Sequence, residues 1–111
     1  MEISEKVDAV QFESLLKAKP ALMVYFFQEK CGVCTGLFPK VKEMVDKEFP
    51  EMELLVLEAV QHTELAAQLR MMSVPGILVY FDGKEFFRAN GLVGLGELRN
   101  KIDRYYNLMF G

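Results

Sequence analysis

Cysteine and histidine are scarce in this chain, with two of the first and one of the second among 111 residues. A closed tetrahedral zinc site takes four Cys or His ligands, so a metal or iron–sulfur centre here would have to borrow a carboxylate or a second subunit. A small secreted domain held by disulfides would carry more cysteines, spread along the chain. Long apolar runs are also missing. The longest, Ala21 to Phe27, fits a strand and falls far short of the ~20 residues of a membrane-spanning helix, so no membrane is expected as a partner. Met1-Glu2-Ile3-Ser4-Glu5-Lys6 has neither the basic start nor the apolar stretch of an export signal, and the expected compartment is the cytoplasm. Neither sign of charge dominates: 13 Lys and Arg face 16 Asp and Glu, for a net charge of −3. The basic residues are scattered over the whole length, which argues against a nucleic-acid-binding face.

What is present reads as one globular domain over residues 1–111, with 51% apolar and 26% charged residues and a length that leaves no room for a second core. From Val7 to Lys17 the residues Val7, Val10, Leu15, Phe12 and Leu16 recur at helical spacing, and Asp8 and Gln11 have the offset of a capping box. Ala21 to Phe27 is apolar on both parities, the pattern of a strand covered on both faces. Gly32 to about Phe49 returns to helical spacing through Leu37, Val41, Met44, Val45 and Phe49, with Pro39 inside it as a kink point. Glu51 to Glu58 forms a second strand around Leu54–Leu57. Thr63 to Arg70 reads as a short helix, with Thr63 or His62 at its cap. Ile77–Phe81, the turn Asp82-Gly83 and Lys84–Arg88 make a β-hairpin, Asp-Gly being a strong signal for a tight primed turn. A last helix over about Leu95–Leu108 faces inward through Leu95, Leu98, Ile102 and Tyr105. This order predicts an α/β fold with helices on both faces of a mixed sheet.

The two cysteines stand together as Cys31-Gly32-Val33-Cys34, where a strand hands over to a helix. Unpaired backbone N–H groups and the positive end of the helix dipole meet there, and they stabilise a thiolate. Lys30 adds a positive charge beside it and Glu29 opposes it, so the Cys31 thiol is expected to ionise more readily than a free cysteine. Two residues between the thiols let one helical turn close into a disulfide, with Cys31 at the tip and Cys34 behind it. Cys31 is then the attacking thiol and Cys34 the resolving one. Two other readings remain open: a disulfide that merely locks the loop of a non-enzymatic interaction module, and a dimer sharing a metal or iron–sulfur centre through the cysteines.

Beyond the motif, several spaced features together resemble the thioredoxin family. The apolar strand leads through Phe26-Phe27-Gln28-Glu29 into the C-G-V-C motif, and Pro39 stands five residues after the second cysteine. Val74-Pro75 resembles the family's cis-proline loop, Gly91 takes the place of the family glycine facing the disulfide, and Gly96-Glu97-Leu98 resembles the start of its last helix. The resemblance implies a thioredoxin-like fold, a central mixed sheet of four to five strands flanked by helices, with a reduced first strand at Glu2-Ile3 or none. It implies a thiol-disulfide oxidoreductase that reduces protein disulfides through a reversible Cys31–Cys34 couple, needs no bound cofactor or metal and acts as a monomer. Its electrons would come from a thioredoxin-reductase-like donor. Pro75 would be cis and face the sulfurs, leaving the Val74 backbone free to pair with an extended substrate. Lys30, Gly32, Val33, Val74, Pro75, Gly91 and Leu92 are the expected substrate-binding residues.

The departures from the family pattern are specific. Tyr25 stands six residues before Cys31, where the family carries a buried Asp that serves proton transfer at the resolving thiol. Water, the Tyr25 hydroxyl or Glu58 are the substitutes at hand. Lys30 and Phe27 replace family tryptophans, and Val33 replaces a proline. Elsewhere the plainer reading is preferred: dispersed methionines as core filling, Met71-Met72 as core with a groove role second, His62 as a capping or solvent-facing residue, and the aromatic pairs as packing.

Overall fold

A computed structural model describes residues 6–111, and the element order is α1 (Ala9–Ala18), β1 (Ala21–Phe27), α2 (Gly32–Glu48), β2 (Glu53–Glu58), a 3₁₀ turn (Ala59–His62), α3 (Thr63–Gln68), β3 (Gly76–Phe81), β4 (Lys84–Asn90) and α4 (Leu95–Phe110). The strands form one sheet in the order β2-β1-β3-β4. β1 pairs parallel with β2 and antiparallel with β3, and β3 pairs antiparallel with β4. The described residues hold four strands. The expected first strand at Glu2-Ile3 lies outside them.

Every residue of β1 is buried, and alternation divides its side chains between two cores. Met23, Tyr25 and Phe27 meet Val41, Val45, Leu98 and Ile102 of α2 and α4 on one face. Leu22, Val24 and Phe26 meet Phe12 of α1 and Leu65 and Ala66 of α3 on the other. An apolar strand of both parities is therefore what a sheet sandwiched between helix layers requires. The capping box forms as spaced: Gln11 N–H donates to Asp8 Oδ1 and Asp8 N–H to Gln11 Oε1. Asp82 and Gly83 both take positive φ, 52° and 76°, as a primed hairpin turn demands.

Several expectations change. α1 begins at Ala9, and Val10 is exposed at its surface. β4 runs on to Asn90, because Ala89 and Asn90 find partners in Ile77 and Gly76. In α4 the buried aromatic is Tyr106, whose hydroxyl accepts the Glu51 N–H; Tyr105 is at the surface and packs on Phe81 and Phe86. His62 takes the N-cap position of α3 but makes no side-chain capping bond there, and it does not face solvent. It is buried, bridging the Glu58 carbonyl through Nδ1 and the Val7 N–H through Nε2, so it ties the start of the described chain to the end of β2.

Candidate active site

Four segments leave the sheet at the same end, and the pairing shows why. Phe27 lies beside Glu58, Phe26 beside Gly76, and Gly76 beside Asn90. The cysteine loop after β1, the turn after β2, the Val74–Pro75 loop before β3 and the Gly91–Leu92 loop after β4 are thus gathered along one edge. The topology does the gathering, since these segments are far apart in sequence.

Cys31 is the N-cap of α2 and Cys34 sits in its first turn. The two sulfurs are joined in a disulfide, with Cα atoms 5.3 Å apart. The Cys34 N–H donates to Cys31 Sγ at 3.1 Å, placing a backbone donor on the sulfur where a thiolate would form. Cys31 is half-buried and Cys34 fully buried, so only one of the two sulfurs has a route to a partner molecule. Of the other expected contact residues, Lys30, Gly32, Val33 and Leu92 are exposed, while Val74 and Gly91 are half-buried. Pro75 is buried; it belongs to the floor of the site and not to an exposed rim. The Val74–Pro75 peptide is cis, and the Pro75 carbonyl accepts the Gly91 N–H at 2.8 Å. Gly91 has φ 105°, a conformation that favours glycine. The adjacent methionines divide: Met71 is core, Met72 is 84% exposed. Met72 lines a cleft with Phe26, Gln28, Ala59 and Val74.

Tyr25 occupies the place of the expected acid and does different work. Its ring packs on Phe38 of α2, and its hydroxyl donates to the Cys34 carbonyl at 2.8 Å. Burial pushes its ionisation up to about 12, so at neutral pH it is a fixed donor holding the first turn of α2, not a base. Glu58, buried at the end of β2, accepts the Val60 and Gln61 N–H groups through Oε1. Its Oε2 is buried without a partner. Among the described residues no group of three or more His, Cys, Asp or Glu could hold a metal ion, and no helix is long and apolar enough to cross a membrane.

The raised tyrosines carry a stability prediction. Tyr80 is likewise pushed up to about 12, by burial first and then by Glu85. A phenol whose ionisation rises from 10 to about 12 on folding contributes stability that is fully present below pH 10 and lost as pH climbs through 12. Each tyrosine accounts for about 2–3 kcal/mol of that loss. Urea midpoints should therefore fall steeply above pH 10, and Tyr25→Phe or Tyr80→Phe should flatten the fall; an unchanged slope in both variants would refute the account.

A helix-capping cysteine beside a fully buried one is the arrangement expected of a dithiol couple, and the sequence matches the family model described as Thioredoxin over residues 3–104. The chain belongs to the thioredoxin family. It is 29% identical over 102 residues to the thioredoxin-like protein YdfQ of Bacillus subtilis, covering 92% of this chain and 90% of the relative. To the thioredoxin of Chlamydia muridarum it is 33% identical over 88 residues, 79% of this chain and 85% of the relative. The X-ray structure of Fasciola hepatica thioredoxin superposes with a TM-score of 0.76 at 34% identity, covering 86% of this chain and 92% of that one. A mutant thioredoxin from Halobacterium salinarum shares the fold at 18% identity, with a TM-score of 0.79, covering 89% of this chain and 86% of that one. As a thioredoxin-family protein with a Cys-x-x-Cys disulfide, the chain is a thiol-disulfide oxidoreductase.

The disulfide joins the two expected cysteines, and the Val74–Pro75 peptide is cis as the resemblance implied. Sequence reasoning missed that Tyr25 would bind the Cys34 carbonyl. The contact spans nine residues, from the end of β1 across the 28–31 loop into the first turn of α2, and no local pattern marks it.

Proposed function

We propose that this thioredoxin-family protein works as a protein-disulfide reductase, with Cys31 as nucleophile and Cys34 as resolving thiol. The observation that supports this most directly is the unequal exposure of the two sulfurs together with the Cys34 N–H aimed at Cys31 Sγ. In the dithiol state the Cys31 thiolate attacks one sulfur of a substrate disulfide. A Cys31–substrate disulfide forms and one substrate thiolate leaves. The Cys34 thiolate then attacks Cys31 Sγ, re-forming the internal disulfide and releasing the second substrate thiolate. Two electrons pass to the substrate, and a thioredoxin-reductase-like donor returns them.

Lys30, Gly32, Val33, Val74, Pro75, Gly91 and Leu92 form the contact surface in this reading, with Val74 offering its backbone to an extended chain. The exposed apolar side chains Val33, Leu92 and Met72 suit the apolar stretches of unfolded protein substrates. The reading also takes the protein to be a cytoplasmic monomer of one domain that holds no cofactor.

The deciding experiment couples the reduction potential of the Cys31–Cys34 pair to a protein-disulfide reduction assay. Working exchangers lie between about −270 and −120 mV, and structural disulfides below about −300 mV. A potential in the first range with turnover of a protein disulfide is expected. A potential in the second range without turnover would leave a locked loop instead. In the reduced protein, the thiolate absorbance should titrate below the ionisation of a free cysteine, about 8.5, because the Cys34 N–H is aimed at Cys31 Sγ and Cys31 stands at the start of a helix dipole.

A further inference from the structure

The segment that leads into the Val74–Pro75 loop is fastened by one arginine of β4. α3 closes with Arg70 N–H donating to the Ala67 carbonyl and Met71 N–H to that of Ala66, while Arg70 itself takes the left-handed conformation, φ 59°. Such a turn leaves the next carbonyls in need of donors. Arg88 supplies them: Nη2 donates to the Leu69 carbonyl at 3.0 Å and Nη1 to that of Arg70 at 3.3 Å. Nη1 also lies 3.9 Å from Met71 Sδ. From behind, Glu85 holds the guanidinium with both oxygens, at 2.9 Å from Nε and 2.7 Å from Nη2.

The rest of the segment is anchored in the same direction. Met72 N–H donates to Asn90 Oδ1 at 3.2 Å, and beyond the loop Pro75 accepts from Gly91. Buried Met71 fills the space beside Gly76, where a Cβ would meet its methyl at 2.7 Å and the Ser73 carbonyl at 3.1 Å. Val74 is thus suspended between attachments that all run to β4, its following loop or the Met71 side chain under Arg88.

We propose that Arg88, oriented by Glu85, is a positioning residue for protein substrates: it fixes residues 69–72 so that the Val74 backbone stands ready to pair with an extended chain. The inference rests on the reading of Val74 and Pro75 as substrate contacts. Arg88 is placed across the sheet from Leu78, which belongs to the core on the face opposite Cys34. Its loss therefore leaves the attack by Cys31 on a small, freely approaching disulfide untouched. Lysine cannot replace it fully, because two carbonyls and a carboxylate are satisfied at once only by the planar fork of donors.

The test compares Arg88→Gln, Arg88→Lys, Glu85→Gln and the Glu85→Gln/Arg88→Gln double variant on insulin disulfides and on dithiobis(nitrobenzoate). Arg88→Gln should raise KM for insulin about tenfold, with kcat and the small-disulfide rate within about twofold of the parent. Arg88→Lys should recover about a third of the loss, and the double variant should be no worse than Arg88→Gln alone, since both residues act through one contact set. Parallel loss on both disulfides would indicate general weakening of the fold and overturn the proposal. So would an unchanged KM, or losses that multiply in the double variant. A parent inert towards both disulfides would overturn the exchange reading itself; a parent active on both with an indistinguishable Arg88→Gln would overturn the positioning role alone.

Discussion

Cys34→Ser protein mixed with a disulfide-bonded protein should accumulate a covalent one-to-one adduct that dithiothreitol dissolves, while Cys31→Ser should accumulate none. The asymmetry follows from burial and chain geometry. Cys34 is fully buried, and the molecule its sulfur can reach is the neighbour at Cys31, to which it is already bonded. Held in that position, an intramolecular thiol acts with an effective concentration of order 10⁵ M or more, which is why the mixed disulfide is normally short-lived. A serine hydroxyl cannot take over, as it is neither ionised near neutral pH nor a comparable nucleophile towards sulfur. Multiple-turnover reduction should fall in both variants by on the order of 10³-fold or more. Equal adduct from both would show that either sulfur can attack, and would remove the assignment of roles. No adduct from either, with turnover intact, would remove thiol-disulfide exchange from these residues altogether.

What could be read from the sequence was the part fixed by local chemistry. The α2 helix starts where Cys31 caps it, the Asp8–Gln11 capping box forms, and the positive φ at Asp82 and Gly83 follows from a two-residue hairpin turn. The apolar run of β1 announced a strand covered on both faces, and the element order announced a mixed sheet with helices on either side. What could not be read depends on partners distant along the chain. His62 stands at the N-cap of α3, but its burial and its bond from Val7, 55 residues away, are not visible in the local sequence. Ala89 and Asn90 have the composition of a loop, and only their register against Ile77 and Gly76 makes them strand. Arg88 sits in a stretch that reads as a solvated hairpin arm, yet the carbonyls it holds lie 18 and 19 residues earlier. The site followed the same rule: the cysteines were legible by spacing, whereas Pro75 as buried floor and Met72 as exposed neighbour required the sheet edge that assembles them.

Replacing Tyr25 by aspartate should cost more stability than any other change at the site, although it installs the residue type the family places there. Tyr25 is wholly buried, its ring against Phe38 and its hydroxyl on the Cys34 carbonyl. Removing a ring of that size from a packed core costs about 3–5 kcal/mol, and a buried carboxyl in the space left behind would have to stay protonated at pH 7, about 4 kcal/mol against its ordinary ionisation at about 3.9. The sum approaches the 5–15 kcal/mol that holds an ordinary domain together. Tyr25→Asp should accordingly unfold at far lower urea concentration than the parent, and the new acid should be protonated at neutral pH and useless as a base. Tyr25→Phe keeps the ring and loses one hydrogen bond, a change of about 1 kcal/mol, and its exchange rate should stay within a few-fold of the parent because the hydroxyl holds the turn without taking protons. The pair separates two accounts of the missing acid. If Tyr25→Asp kept its urea midpoint and sped up release of the mixed disulfide, the parent would be a thioredoxin slowed by the loss of a proton acceptor. The packing favours the other account, in which this core has been rebuilt around an aromatic and the Cys34 proton leaves by a route that does not pass through residue 25.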